Sequence, residues 1–295
     1  MTTPQSYYVP AQSKWPIIAT IGLALTLFGA ASIMNDGTAG RETGGSWLIF
    51  LAGALVMAYM LFGWFGNVVQ ESRSGMYSHQ MDRSFRWGMS WFIFSEVMFF
   101  AAFFGALFYA RVFSVPWLAG EGDKGVSAML WPGFEAVWPL LQNPDSELFP
   151  SPTGTIDPWH LPFLNTLLLV SSSVTITIAH KALKNNNRTQ LKLWLAATII
   201  LGAVFLFFQI EEYVEAYTTL DLTLRSGIYG STFFMLTGFH GAHVTLGALM
   251  LTIMFVRVMK GHFDKDNHFG FEAASWYWHF VDVVWLGLFI FVYVV

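Results

Sequence analysis

The chain has 295 residues, of which 55% are hydrophobic and only 12% charged; soluble domains carry about 25% charged residues, so too little polar surface exists here to coat a water-soluble fold. A net charge of −4 leaves no basic footprint for nucleic acid, and the absence of cysteine excludes disulfides, thiolate zinc, iron–sulfur clusters and any copper centre built on cysteine sulfur. An all-α integral membrane protein is the class that remains.

A polar leader with the single base Lys14 precedes an apolar run from Ile17 to Met34. Ala30, Ala31 and Ser32 would suit a signal-peptidase site, but the leader is long and weakly basic, so a retained first membrane helix is expected. Seven apolar stretches follow in order, near Trp15–Met34, Trp47–Gly66, Trp87–Phe113, Pro162–Leu183, Leu191–Tyr217, Tyr229–Val258 and Phe271–Val295. Each meets the ~20 residues a bilayer core requires. Placing the N-terminus inside puts eleven basic residues (Lys14, Arg73, Arg83, Arg86, Lys181, Lys184, Arg188, Lys192, Arg257, Lys260, Lys265) in the cytoplasm and four (Arg41, Arg111, Lys124, Arg225) outside. That bias predicts a cytoplasmic N-terminus and an external C-terminus. The long connection near 114–161 carries seven of the eleven prolines and is expected to form an interfacial flap of short helical turns.

Ionisable residues within the apolar stretches carry the chemistry, because each is expensive to bury without a partner. Glu96 falls about 15 Å into the third stretch, near mid-depth, with no Lys or Arg within two turns. It is expected to be uncharged, either bonding a neighbouring helix or exchanging a proton. His240 and His243, three apart in the sixth stretch, share a face flanked by Gly238, Gly241, Ala242 and Gly247. They could be half of a metal site, but small neighbours favour a close helix contact in which the imidazoles reach another helix, with Glu96 a candidate partner. In the fifth stretch, Glu211, Glu212 and Glu215 lie near the outer boundary; Glu211 or Glu212 is expected to be partly buried and Glu215 wet. In the seventh, Asp282 needs a partner, for which His279 and His243 are the candidates, and Glu272 recurs at helical spacing with Ser275 and His279. Of the eight histidines, His79, His262 and His268 are expected in cytoplasmic connections and His160 at the outer edge. What remains, including His180, lacks the paired Glu-x-x-His pattern of di-iron sites, so no metal centre is expected.

In order along the chain stand Arg86-Trp-Gly-Met, Ser95-Glu-Val-Met-Phe-Phe100, Leu164-Asn-Thr-Leu-Leu-Leu and Ser173-Val-Thr-Ile-Thr-Ile-Ala-His180. They are followed by Glu212-Tyr-Val-Glu-Ala216, Gly227-Ile-Tyr-Gly-Ser-Thr-Phe-Phe234, Thr237-Gly-Phe-His-Gly-Ala-His243, His268-Phe-Gly-Phe-Glu-Ala-Ala274 and Trp276-Tyr-Trp-His-Phe-Val-Asp-Val-Val-Trp285. Together these stretches resemble subunit III of haem–copper respiratory oxidases, that is, the cytochrome c oxidase subunit III family.

The resemblance implies a non-redox core subunit of a proton-pumping aa3-type cytochrome c oxidase in a bacterial inner membrane. Haem a, haem a3 and copper would reside in partner subunits, and cytochrome c would bind the complex and not mainly this chain. Helices one and two, within residues 1–70, would stand apart from helices three to seven, within 71–295, around a V-shaped cleft holding phospholipid. Subunit I would be the direct partner, with subunits II and IV further candidates, and the chain would support proton uptake, stability of subunit I and oxygen delivery. Glu96 matches the family's carbodiimide-reactive carboxylate, and Trp64, Glu71, His79 and Arg257 match its lipid-headgroup positions. Phe65 and Gly66 stand where the family has Trp and Arg, so lipid contacts there should differ. The equivalent subunit of a quinol oxidase and an independent proton-coupled transporter are the alternatives.

Overall fold

The computed structural model describes residues 12–295; the leader up to Ala11 lies outside the described residues. Seven helices are long and apolar enough to cross a membrane, and no strand occurs among the described residues. In chain order the helices are α1 (Trp15–Thr38), α2 (Gly44–Arg73), α3 (His79–Tyr109), the short α4 (Val115–Leu118) and α5 (Ser127–Leu130), then α6 (Leu161–Lys184), α7 (Arg188–Thr218), α8 (Gly227–Met259) and α9 (Phe269–Leu288). π-helical turns continue α3 over Ala110–Ser114 and α9 over Phe289–Val294. The chain divides into two compact units, one ending at Phe85 and one spanning Arg86–Val295.

In the first unit α1 and α2 pack through small residues. The buried positions are Trp15, Gly22 and Gly29 on α1 and Ser46, Gly53 and Met60 on α2, each set spaced by seven. A strict seven-residue repeat keeps one seam facing the partner helix, and in lipid such a seam gains its stability from close backbone approach. The approach is close indeed: a methyl on Gly29 would collide with the Phe50 amide nitrogen, and one on Gly53 with that of Thr26. Asp36 closes the turn, accepting from Ser46 Oγ at 2.5 Å and pairing with Arg41 at 3.0 Å.

The second unit is organised around two tryptophans of α9. Trp278 and Trp285 are both fully buried. Trp278 donates from Nε1 to Ser172 Oγ of α6 at 2.9 Å, and its ring lies against Gly202 of α7 and Gly247 of α8. Trp285 donates to Thr166 Oγ1 of α6 at 2.9 Å and meets Phe205 of α7 edge-on at 4.8 Å. Each indole thus fills an apolar slot while its polar N–H finds an acceptor, as buried Trp requires. Hydroxyl pairs add further cross-links: Thr175 with Thr198 at 2.8 Å between α6 and α7, and Tyr213 with Thr237 at 2.7 Å between α7 and α8.

One expectation changes and another is extended. α3 begins at His79 and α2 runs to Arg73, so His79 is a helical residue and not part of a connection. Both helices extend past their apolar runs with polar turns that hydropathy does not register. The 114–161 connection holds the short helical turns expected of it and is also pinned to the α7–α8 connection. Thr153 N–H donates to Leu220 O at 2.9 Å, and Asn143 Nδ2 donates to Ser226 O at 3.4 Å. Leu140 and Ile156 of this connection are buried in the core of the second unit.

Candidate functional site

Glu96 projects from α3 toward α8, where its Oε2 lies 2.9 Å from His243 Nε2. The other ring nitrogen of His243, Nδ1, lies 2.6 Å from the carbonyl of Phe239, one turn earlier. A carbonyl can only accept, so Nδ1 carries the hydrogen and Nε2 of the neutral ring is bare. The Glu96–His243 contact therefore holds one hydrogen, supplied by a carboxylic acid or by an imidazolium. Either arrangement is neutral overall, which suits a site walled by Phe99 and Phe100 at 5.7 and 5.0 Å from the imidazole. The Glu96 side chain keeps 21% of its surface exposed, so the pair lies at the edge of the second unit and not at its centre.

His240 points the other way. It is fully buried, its Nε2 donates to the Val281 carbonyl of α9 at 3.1 Å, and its ring lies against Trp285 at 5.2 Å. Its Nδ1 finds no hydrogen-bond partner among the described residues. The two histidines thus serve different helices. His240 fixes α8 to α9, and His243 fixes α8 to α3.

On α9, His279 Nδ1 meets Ser173 Oγ of α6 at 2.7 Å, and Asp282 Oδ2 lies 3.8 Å from the same nitrogen. Of its two candidate partners Asp282 therefore lies next to His279, beyond hydrogen-bond length. Asp282 is only 5% exposed, and neither of its oxygens is hydrogen-bonded among the described residues.

Among the three acids of α7, Glu212 is the buried one, Glu215 is intermediate and Glu211 is exposed. The Tyr293 hydroxyl donates to Glu212 Oε1 at 2.5 Å, and Gln209 Nε2 donates to the same oxygen at 3.3 Å. Tyr293 reaches Glu212 from the π-turn after α9. A π-turn shifts side-chain register relative to a continued α-helix, so the contact could not be read from helical spacing.

The four positions that the resemblance alone links to lipid headgroups fall in both units. In the first, Trp64 is exposed and stacks on Phe65 at 5.1 Å, Glu71 accepts from Tyr77 Oη at 2.9 Å, and His79 opens α3. In the second, the Arg257 guanidinium covers Phe263 at 4.2 Å from the ring centroid.

One grouping joins residues that the sequence reading kept apart. His180 at the end of α6, His268 capping α9 and Glu272 in its first turn offer ligand atoms within 4.8 Å of one another. Glu272 also pairs with Arg86 of α3 at 2.8 Å. The i, i+4 spacing of His268 and Glu272 was the only local signal.

Comparison with known proteins matches this arrangement to a family over nearly its whole length. The family model for cytochrome c oxidase subunit III covers residues 5–123 and 126–295. Among curated relatives, cytochrome c oxidase subunit 3 of Pongo abelii is 39% identical over 291 residues, covering 98% of this chain and 96% of the relative. That of Marchantia polymorpha is 39% identical over 288 residues, covering 97% and 95%, and that of Homo sapiens is 38% identical over 291 residues, covering 98% and 96%. A membrane-type helical chain with a carboxyl–imidazole pair joining α3 to α8, matched over nearly all of its length, belongs to the cytochrome c oxidase subunit III family.

Proposed function

We propose that this chain is the non-redox core subunit of a proton-pumping aa3-type cytochrome c oxidase. It stabilises subunit I, supports proton uptake and oxygen delivery there, and orders phospholipid in the cleft that the resemblance implies. The observation that carries the reading is the nearly full-length match to proteins named cytochrome c oxidase subunit 3. The site chemistry is consistent with it. Glu96 and His243 can exchange one hydrogen without creating net charge, and Glu96 has no Lys or Arg within two helical turns on α3. In this reading haem a, haem a3 and copper are held by subunits I and II, and subunit I is the direct neighbour.

The bias of eleven basic residues against four supports an N-terminus on the negative side of the coupling membrane, for which a bacterial inner membrane is the expectation. Arg257 and His79, which that topology would put on or near the negative side, are proposed to hold lipid phosphate. Removal of this chain tests the reading. An oxidase lacking it should retain its haem and copper but take up protons more slowly and inactivate sooner during turnover. Loss of haem a together with the chain would overturn the non-redox role.

A further inference from the structure

We propose that His180, His268 and Glu272 form a binding site for a divalent transition-metal ion at the joined ends of α6 and α9, with Zn2+ the best fit. Two imidazoles and a carboxylate are a donor set suited to zinc, and three protein ligands leave a fourth position for water. The three ligand atoms already lie within 4.8 Å of one another. Bonds of about 2.0–2.2 Å in a tetrahedron put donors about 3.3 Å apart, so the side chains must draw in by up to about 1.5 Å.

Two further observations point to a ligand. His180 Nε2 is shielded from solvent and finds no hydrogen-bond partner among the described residues, an unusual state for a buried ring nitrogen. His268 Nδ1 donates to the Asp264 carbonyl at 3.1 Å, which leaves Nε2 as the bare nitrogen. That is how metal-binding histidines are set, with one N–H held by a carbonyl and the other nitrogen aimed at the ion. Asp264 is itself fixed, its Oδ1 accepting from Asp266 N at 2.8 Å and Asn267 N at 2.7 Å. Arg86 Nη1 meets Glu272 Oε2 at 2.8 Å. It orients the carboxylate and leaves the second oxygen for the ion.

The rings of His180 and His268 lie 5.4 Å apart at 67°, and Phe271 covers His180 from α9 at 5.8 Å. An ion bound here would clamp the ends of α6 and α9, with Arg86 still holding the other Glu272 oxygen. It would tie down the His262–His268 connection without touching the Glu96–His243 pair.

The test uses the full chain, purified in detergent with the subunits that accompany it, stripped with chelator and titrated with Zn2+. The wild type should bind one equivalent that His180→Leu, His268→Gln and Glu272→Gln each remove or weaken at least about tenfold. His160→Gln, at the opposite end of α6, should leave that equivalent in place. Zinc absorption spectra of the wild type should show two imidazole nitrogens near 2.0–2.1 Å and oxygen near 2.0–2.2 Å. Should His180→Leu fail to accumulate, His268→Gln carries the test, since it alters a residue outside the helical core. An equivalent that persists in the variants, or a wild type that retains no zinc, overturns the site.

Discussion

Replacing Glu96 by Gln keeps the shape of the side chain and removes its exchangeable acid hydrogen. His243 Nδ1 is committed to the Phe239 carbonyl, so Nε2 needs a donor. A carboxamide N–H supplies one at the same 2.9 Å position. The bond count is therefore unchanged, and stability should move by no more than the net worth of one hydrogen bond, about 1 kcal/mol. Glu96→Ala leaves the His243 Nε2 acceptor unmet and opens a gap beside Phe99 and Phe100. The unmet acceptor alone costs about 1–3 kcal/mol. SDS-titrated unfolding of the complex in mixed micelles reads the difference, with cytochrome c oxidation followed in parallel. Glu96→Gln should assemble, unfold near the wild-type midpoint and lose less than tenfold in turnover, whereas Glu96→Ala should unfold clearly earlier. A Gln variant as unstable as Ala would refute the hydrogen count. Complete loss of oxygen reduction in the Gln variant would refute the reading of Glu96 as remote from the redox chemistry.

Other outcomes follow from the packing. Gly247→Ala would set a methyl 2.9 Å from the Trp278 ring, and Gly202→Ala one at 2.6 Å; overpacking of this kind costs about 1–3 kcal/mol and should show as a lower unfolding midpoint in micelles. Tyr293→Phe removes the short donor to buried Glu212 and should cost about 1–3 kcal/mol in the same titration, whereas Glu211→Gln, on the exposed face, should change nothing measurable. Arg86→Gln breaks an ion pair whose arginine is 36% exposed, so its cost should stay below about 1 kcal/mol and shrink as salt is raised.

How far the sequence speaks depends on whether a feature is local. The apolar runs mark the centres of the seven long helices because a bilayer demands about twenty apolar residues in a row. Their ends escape notice: His79, Gln80 and Asp82 belong to α3, yet their polarity resembles a connection. His240 and His243 share a helix face by spacing, but which neighbour each reaches is a tertiary fact. One meets the Val281 carbonyl and the other meets Glu96. Burial of Glu212 over Glu211 is a matter of which face of α7 turns inward. The π-turn that brings Tyr293 to it leaves no sequence pattern. His180 and His268 are separated by two intervening helices, α7 and α8, so their approach emerges only when the ends of α6 and α9 come together.

The central claim is that this chain serves a haem–copper oxidase without carrying a redox centre. An affinity tag on this chain, followed by optical spectra and metal analysis of what it retains, tests that most directly. The material should contain haem a and copper and oxidise cytochrome c, and the chain released from it by detergent should be free of both haem and copper. Haem or copper remaining on the released chain, or a tag that retrieves no haem a at all, would contradict it.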